Sequence, residues 1–117
     1  MNRDYTDLLP KILAAMYPDV DLRKQIQNKL NQYGSKDHHQ ELERVHLGIL
    51  RLAYDEPEKL DIYINMACTD FRDLLVAAEY PLSSHPYNLK KTDPERYKTL
   101  QNREIQEYDN WIFSLVT

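Results

Sequence analysis

The sequence predicts an all-α single domain over residues 1–117, arranged as a five-helix up-down bundle around one long helix at 57–80. Three observations lead there. Apolar residues recur along most of the chain at alternating intervals of three and four, the spacing that lines one face of a helix. Only two glycines occur, Gly34 and Gly48, too few for tight β-hairpins or phosphate-cradling loops. Most segments between the stripes are only about two to four residues long, which joins antiparallel neighbours. A chain of this length buries on the order of two-thirds of its unfolded surface and folds without a disulfide or metal staple.

The first helix is expected from Asp4 to Tyr17, with Tyr5, Leu8, Leu9, Ile12, Leu13 and Met16 on its apolar side. Pro10 removes a backbone bond and is expected to kink or break it at Leu9. Pro18 and Asp19 end this helix, and Asp19 or Asp21 caps a second one faced by Leu22, Ile26, Leu30 and Tyr33. Gly34 follows as a left-handed C′ residue. Asp37 is expected to cap a third helix, with Gln40 completing a variant of the capping box. Its stripe of Leu42, Val45, Ile49, Leu52 and Ala53 is widened by Leu47 and Leu50, so it should lie between neighbours.

Pro57 to Tyr80 reads as one uninterrupted helix, with Leu60, Ile64, Ala67, Phe71, Leu74 and Ala78 on its stripe and Tyr63 and Leu75 beside it. Pro57 fits a first turn and Pro81 stops the helix, giving a rod of roughly 36 Å that the others surround. PLSSHPYNLKK is the one long connection. Thr92, Pro94 and Glu95 form a capping box for the last helix, which runs to about Leu115 with Tyr97, Leu100, Ile105, Tyr108, Trp111, Ile112 and Leu115 on its face. Gln101 and Glu104 interrupt that face, and a carboxylate there calls for a cation or donor opposite. Helices one to four each finish in a tyrosine, at Tyr17, Tyr33, Tyr54 and Tyr80, whose rings can close the bundle ends while their hydroxyls reach water.

The net charge of −4, with both signs mixed, lacks the basic footprint of a nucleic-acid binder. Lys90, Lys91, Arg96 and Lys98 near one loop hardly supply it. The single Cys68 cannot make an internal disulfide, which fits a reducing compartment. MNRDYTDLLPK lacks the apolar core of a signal peptide, and no apolar run approaches the length of a membrane span. Cytoplasmic placement, no membrane and no cofactor are the expectations.

Four groups could carry chemistry. His39, Glu43 and His46, spaced four and three on the expected third helix, could converge on a metal, and Glu43 with His46 reads as half of a di-iron carboxylate pattern. The second half is missing, so a solvated or packed histidine face is the plainer reading. Ser83, Ser84 and His85 are adjacent on a loop without the strained elbow or triad that a serine nucleophile needs. Asp70 and Asp73 lie one turn apart, and Arg72 has no carboxylate three or four residues away on its own helix. With Glu104 they make a possible polar site between helices, although ordinary ion pairs or solvation would also account for them. Trp111, Ile112, Phe113 and Leu115 leave the last helix apolar on more than one side, so either the first helices wrap this end or a second copy does. A two-fold homodimer is the expected assembly.

The stretch Asp70-Phe71-Arg72-Asp73-Leu74-Leu75 followed by Ala78-Glu79-Tyr80-Pro81 resembles a D-(F/Y)-R-D-(L/V)-L-x-x-A-E-Y-P run of small uncharacterised bacterial helical proteins. The opening DYTDLLPKIL and the helix HxxxLERVHLGIL look similar in kind. The likeness covers Asp4 to Pro81 and implies a helical fold in a bacterial, cytosolic setting. It brings no activity. A non-enzymatic module for protein association, by itself or with a partner, is therefore expected first, and a small-ligand or metal site inside the bundle second.

Overall fold

The computed structural model describes residues 7–54, 56–81 and 89–116, with Leu89 by its backbone alone. Seven α-helices and one short 3-10 turn form there, and no strand occurs among the described residues.

α1 (Leu8–Met16) starts late enough that Pro10 falls in its first turn, where a missing N–H loses no intrahelical bond. The break expected at Leu9 is therefore absent, and Tyr5 lies outside the described residues. α2 (Val20–Leu30) is capped by Asp19, whose carboxylate accepts the Leu22 N–H at 3.0 Å. Gly34 does have positive φ, at 119°, but Asn31 caps the helix and a short turn separates the two. α3 (Leu42–Leu52) begins at Leu42 rather than at the Asp37 box, because the preceding residues form a loop that bonds back onto Tyr33. Val45 through Leu50 are all buried, so α3 is the central rod. Its wide apolar circumference was the signal for that.

The expected continuous helix at 57–80 is instead a 3-10 turn at Pro57–Lys59, then α4 (Leu60–Thr69) and α5 (Phe71–Glu79). Asp70 is extended, with φ −156° and ψ 103°, and its carboxylate accepts the Arg72 N–H at 3.0 Å. A short acidic side chain that bonds the backbone of the next turn offers the chain an alternative to continuing the helix. Thr69 closes α4 with its hydroxyl donating to the Asn65 carbonyl at 2.8 Å. α6 (Leu89–Thr92) then leads to α7 (Pro94–Val116). The cap of α7 is Asp93, which accepts the Arg96 N–H at 3.1 Å, one residue beyond the expected Thr92. At 23 residues α7 is the longest element, and the molecule measures 48 × 32 × 26 Å.

Packing departs from a simple up-down order. α3 lies against α4 and α5, α2 packs chiefly on α4, and α1 packs chiefly on α7, the far end of the chain. Leu9, Ile12 and Leu13 share one core with Tyr108 and Ile112, and that core continues through Ile26, Leu30, Ile49, Leu60 and Leu74. Gly48 permits the close approach of α3 to α5, since a Cβ there would sit 2.9 Å from Leu74 Cδ1 and 3.2 Å from Ala78 Cβ. Of the helix-ending tyrosines, Tyr17 and Tyr33 are buried, Tyr80 is half-buried and Tyr54 is exposed. Among the described residues no helix is long and apolar enough to cross a membrane.

Candidate functional site

Arg44 and Arg51 stand two helical turns apart on α3, on the side that meets α5 and α7. Arg44 engages Glu79 of α5 with a two-pronged grip, Nε donating to Oε2 at 2.8 Å and Nη2 to Oε1 at 2.6 Å. Such a fork fixes orientation as well as charge. Beside it, burial raises the Tyr80 hydroxyl pKa, the Glu79 charge raises it further, and Arg44 acts in the opposite direction.

Between α3, the C-terminal end of α5 and α7 lies a cleft of about 200 Å³. Ala77 and Ala78 leave the room for it, and Arg51, Glu79, Glu104, Glu107 and Tyr108 supply its polar wall. Arg51 is held with its guanidinium 5.0 Å from the centre of the Trp111 ring, an attraction between a cation and the negative face of an indole. Glu104 is only 4 % exposed. Glu107 also takes the Arg103 Nε at 3.1 Å on the solvent side. Three carboxylates and one guanidinium thus line the cleft, and Arg44 balances one of the carboxylates from outside it.

The polar group expected from the sequence is not brought together. Glu104 is in the cleft, whereas Asp70 is spent as the cap of α5 and Arg72 projects into solvent, its Nε 3.4 Å from Asp70 Oδ1. Asp73 is exposed in the first turn of α5. Arg44, Arg51, Glu79 and Glu107 were missed. The interval of seven between Arg44 and Arg51 was visible, but nothing in a linear pattern says which helix carries the opposing carboxylates.

His39 lies in the loop before α3 and so is not on one helical face with Glu43 and His46. Its Nδ1 accepts the Gly34 N–H at 2.7 Å and the Lys36 N–H at 3.4 Å. His46 is buried with Nε2 donating to the Tyr33 carbonyl at 2.8 Å. Among the described residues no three His, Cys, Asp or Glu side chains converge on a metal site. Ser83, Ser84 and His85 lie outside the described residues.

At the C-terminal end, Ile112 is buried and Trp111 and Leu115 pack against the core, leaving Phe113 exposed at 67 %. The packing of α1 on α7 accounts for that covering. Lys90, Lys91, Arg96 and Lys98 are exposed with Asp93 and Glu95 among them, and the Lys90 ammonium sits 5.9 Å from the centre of the Tyr97 ring. No family model, no curated protein and no solved structure matches this chain.

Proposed function

We propose that this chain is a binding module whose recognition site is the cleft between α3, α5 and α7, and whose ligand carries a small ammonium or guanidinium group. One observation supports it above the others: Glu79, Glu104 and Glu107 line one small cleft in which Arg51 is the one cation among the described lining residues, with Arg44 holding Glu79 and Arg103 holding Glu107 from outside the lining. An acidic lining favours a cationic ligand over an anionic one. Among the described residues the lining contains no serine, threonine, cysteine or histidine.

Thermal unfolding with a panel of millimolar diamines, guanidines and amino-acid amines, against acetate as the anionic control, tests this. Ligand at about 100 times its Kd stabilises by about 2.7 kcal/mol, which raises Tm on the order of 10 °C in a domain of this size. The rise should saturate for a cation and vanish in Glu104→Gln. No rise with any amine, or an equal rise in the variant, ends the proposal.

The competing reading is self-association through Trp111, Ile112, Phe113 and Leu115, and it keeps one supporting observation, the exposed Phe113 ring. Sedimentation at micromolar concentration separates the two. A dimer dispersed by Phe113→Ser would favour association, and a monomer would remove it.

A further inference from the structure

The loop between α2 and α3 is held by two histidine rings packed on Tyr33, one stacked and one edge-on. The Tyr33 hydroxyl donates to the Gln40 carbonyl and accepts the Gln40 N–H at 3.1 Å, tying both ends of the loop together. On one side the His39 ring stacks on Tyr33 with centroids 4.4 Å apart and planes 13° from parallel. On the other, His46 meets Tyr33 edge-on at 6.3 Å while its Nε2 holds the Tyr33 carbonyl.

The protonation state of His39 is fixed by its partners. Two backbone N–H groups, from Gly34 and Lys36, point at Nδ1, and a backbone N–H can only donate. Nδ1 must therefore be the unprotonated nitrogen of a neutral ring. A proton on Nδ1 would set donor against donor at 2.7 Å, and the ring would have to leave both amides and the Tyr33 stack. Gly34 is poorly placed to follow it, because its φ of 119° and its tight approach to Leu42 confine the backbone there.

We infer that the Tyr33–Gln40 loop is a proton-operated latch, closed while His39 is neutral and released when Nδ1 takes a proton. Its surroundings defer that release to a pH below the ordinary histidine range. Burial lowers the His39 pKa, and the neighbouring His38 ring and Lys36 ammonium lower it further. The His38 ring lies 4.7 Å from that of His39. Around Tyr33 the other groups are Glu41 at the start of α3 and Cys68 from α4, and Glu43 faces His46. His39 is thus the group whose hydrogen-bonding role reverses on protonation. His46 already donates through the nitrogen that meets a carbonyl, so its bond survives a second proton on the ring.

Amide hydrogen exchange and NMR shifts followed down through the His39 titration test the latch. The Gly34 and Lys36 amides should titrate with the His39 ring, and below its midpoint their exchange, corrected for intrinsic pH dependence, should accelerate roughly tenfold, as the loss of two modest hydrogen bonds implies. His39→Asn keeps a side-chain oxygen as an acceptor that no proton reaches in this range, so its loop should stay protected throughout. His39→Ala should leave both amides unprotected at every pH. Flat behaviour of Gly34 and Lys36 in the parent protein, or a transition that persists in His39→Asn, overturns the inference.

Discussion

Arg44 and Glu79 tie α3 to α5 beside the acidic cleft, and their geometry sets what the pair is worth. The Glu79 side chain is 11 % exposed and that of Arg44 36 %, so water screens the guanidinium more than the carboxylate. A double-mutant cycle with Arg44→Met and Glu79→Gln should return a coupling of about 1–2 kcal/mol, above an ordinary surface pair and below a fully buried one. Arg72 with Asp70, 3.4 Å apart and largely solvated, should couple weakly by the same measurement. His46 provides the residue-scale pH dependence. Burial lowers its pKa, opposed by the carbonyls of Tyr33 and Leu30 and by Glu43. The unfolded chain therefore takes up this proton first, near the ordinary histidine value of about 6.5. The stability due to His46 is present in full above that value and is lost as pH falls through it toward the folded pKa. Urea midpoints should fall between about pH 7.5 and about pH 5, and fall less in His46→Gln.

At the scale of the element, the break at Asp70 is the clearest case of two local signals competing. The apolar stripe from Leu60 to Ala78 continues through Asp70 in register, so periodicity alone reads a single helix. Against it stand Thr69 and Asp70, followed by Asp73 three residues later, a helix-start signal that the expectation of one uninterrupted helix left out. The structure follows the cap. Asp70→Ala should lower stability by about 1 kcal/mol, or a Tm fall of roughly 4 °C. Circular dichroism should show no gain in helix, because α4 and α5 both pack on α3 and on each other and cannot straighten into one rod. A gain in helicity with unchanged Tm would mean that the Asp70 cap alone, and not the packing on α3, imposes the break. The same competition placed the start of α3. The Asp37 and Gln40 pattern was a valid cap signal, but Tyr33, His39 and His46 hold that segment as a loop, and their bonds to groups five, seven and thirteen residues away follow no capping pattern.

For the molecule as a whole, the all-helical class was readable because it rests on local spacing, and so was a flanked position for the third helix, apolar over more than half its circumference; the central place, expected of the helix at 57–80, belongs to α3 instead. The pairing of α1 with α7 was not readable, since it joins the two ends of the chain and depends on which stripes are left after α3, α4 and α5 have packed. Glu104 was legible as a carboxylate out of place on an apolar face, while its companions in the cleft come from two other helices and needed the fold to find them. That end-to-end pairing has a measurable consequence. A single connected core runs from Leu9 in α1 through α2, α3, α4 and α5 to Ile112 in α7, so no subset of helices has a core of its own to retain when the rest unfold. Trp111 is the sole tryptophan of the chain and lies on α7 against that core, packed near Tyr108 at 5.7 Å between ring centres and under Arg51. Its fluorescence therefore reports the α7 side, whereas ellipticity reports every helix. The two signals should give coincident urea midpoints and slopes. Ile112→Ala, which removes a buried side chain between α7 and the core, should shift both together, by about 2–4 kcal/mol. A tryptophan transition that precedes the loss of ellipticity would instead mark α1 and α7 as a separate layer, detached from the α3 core before the rest of the fold gives way.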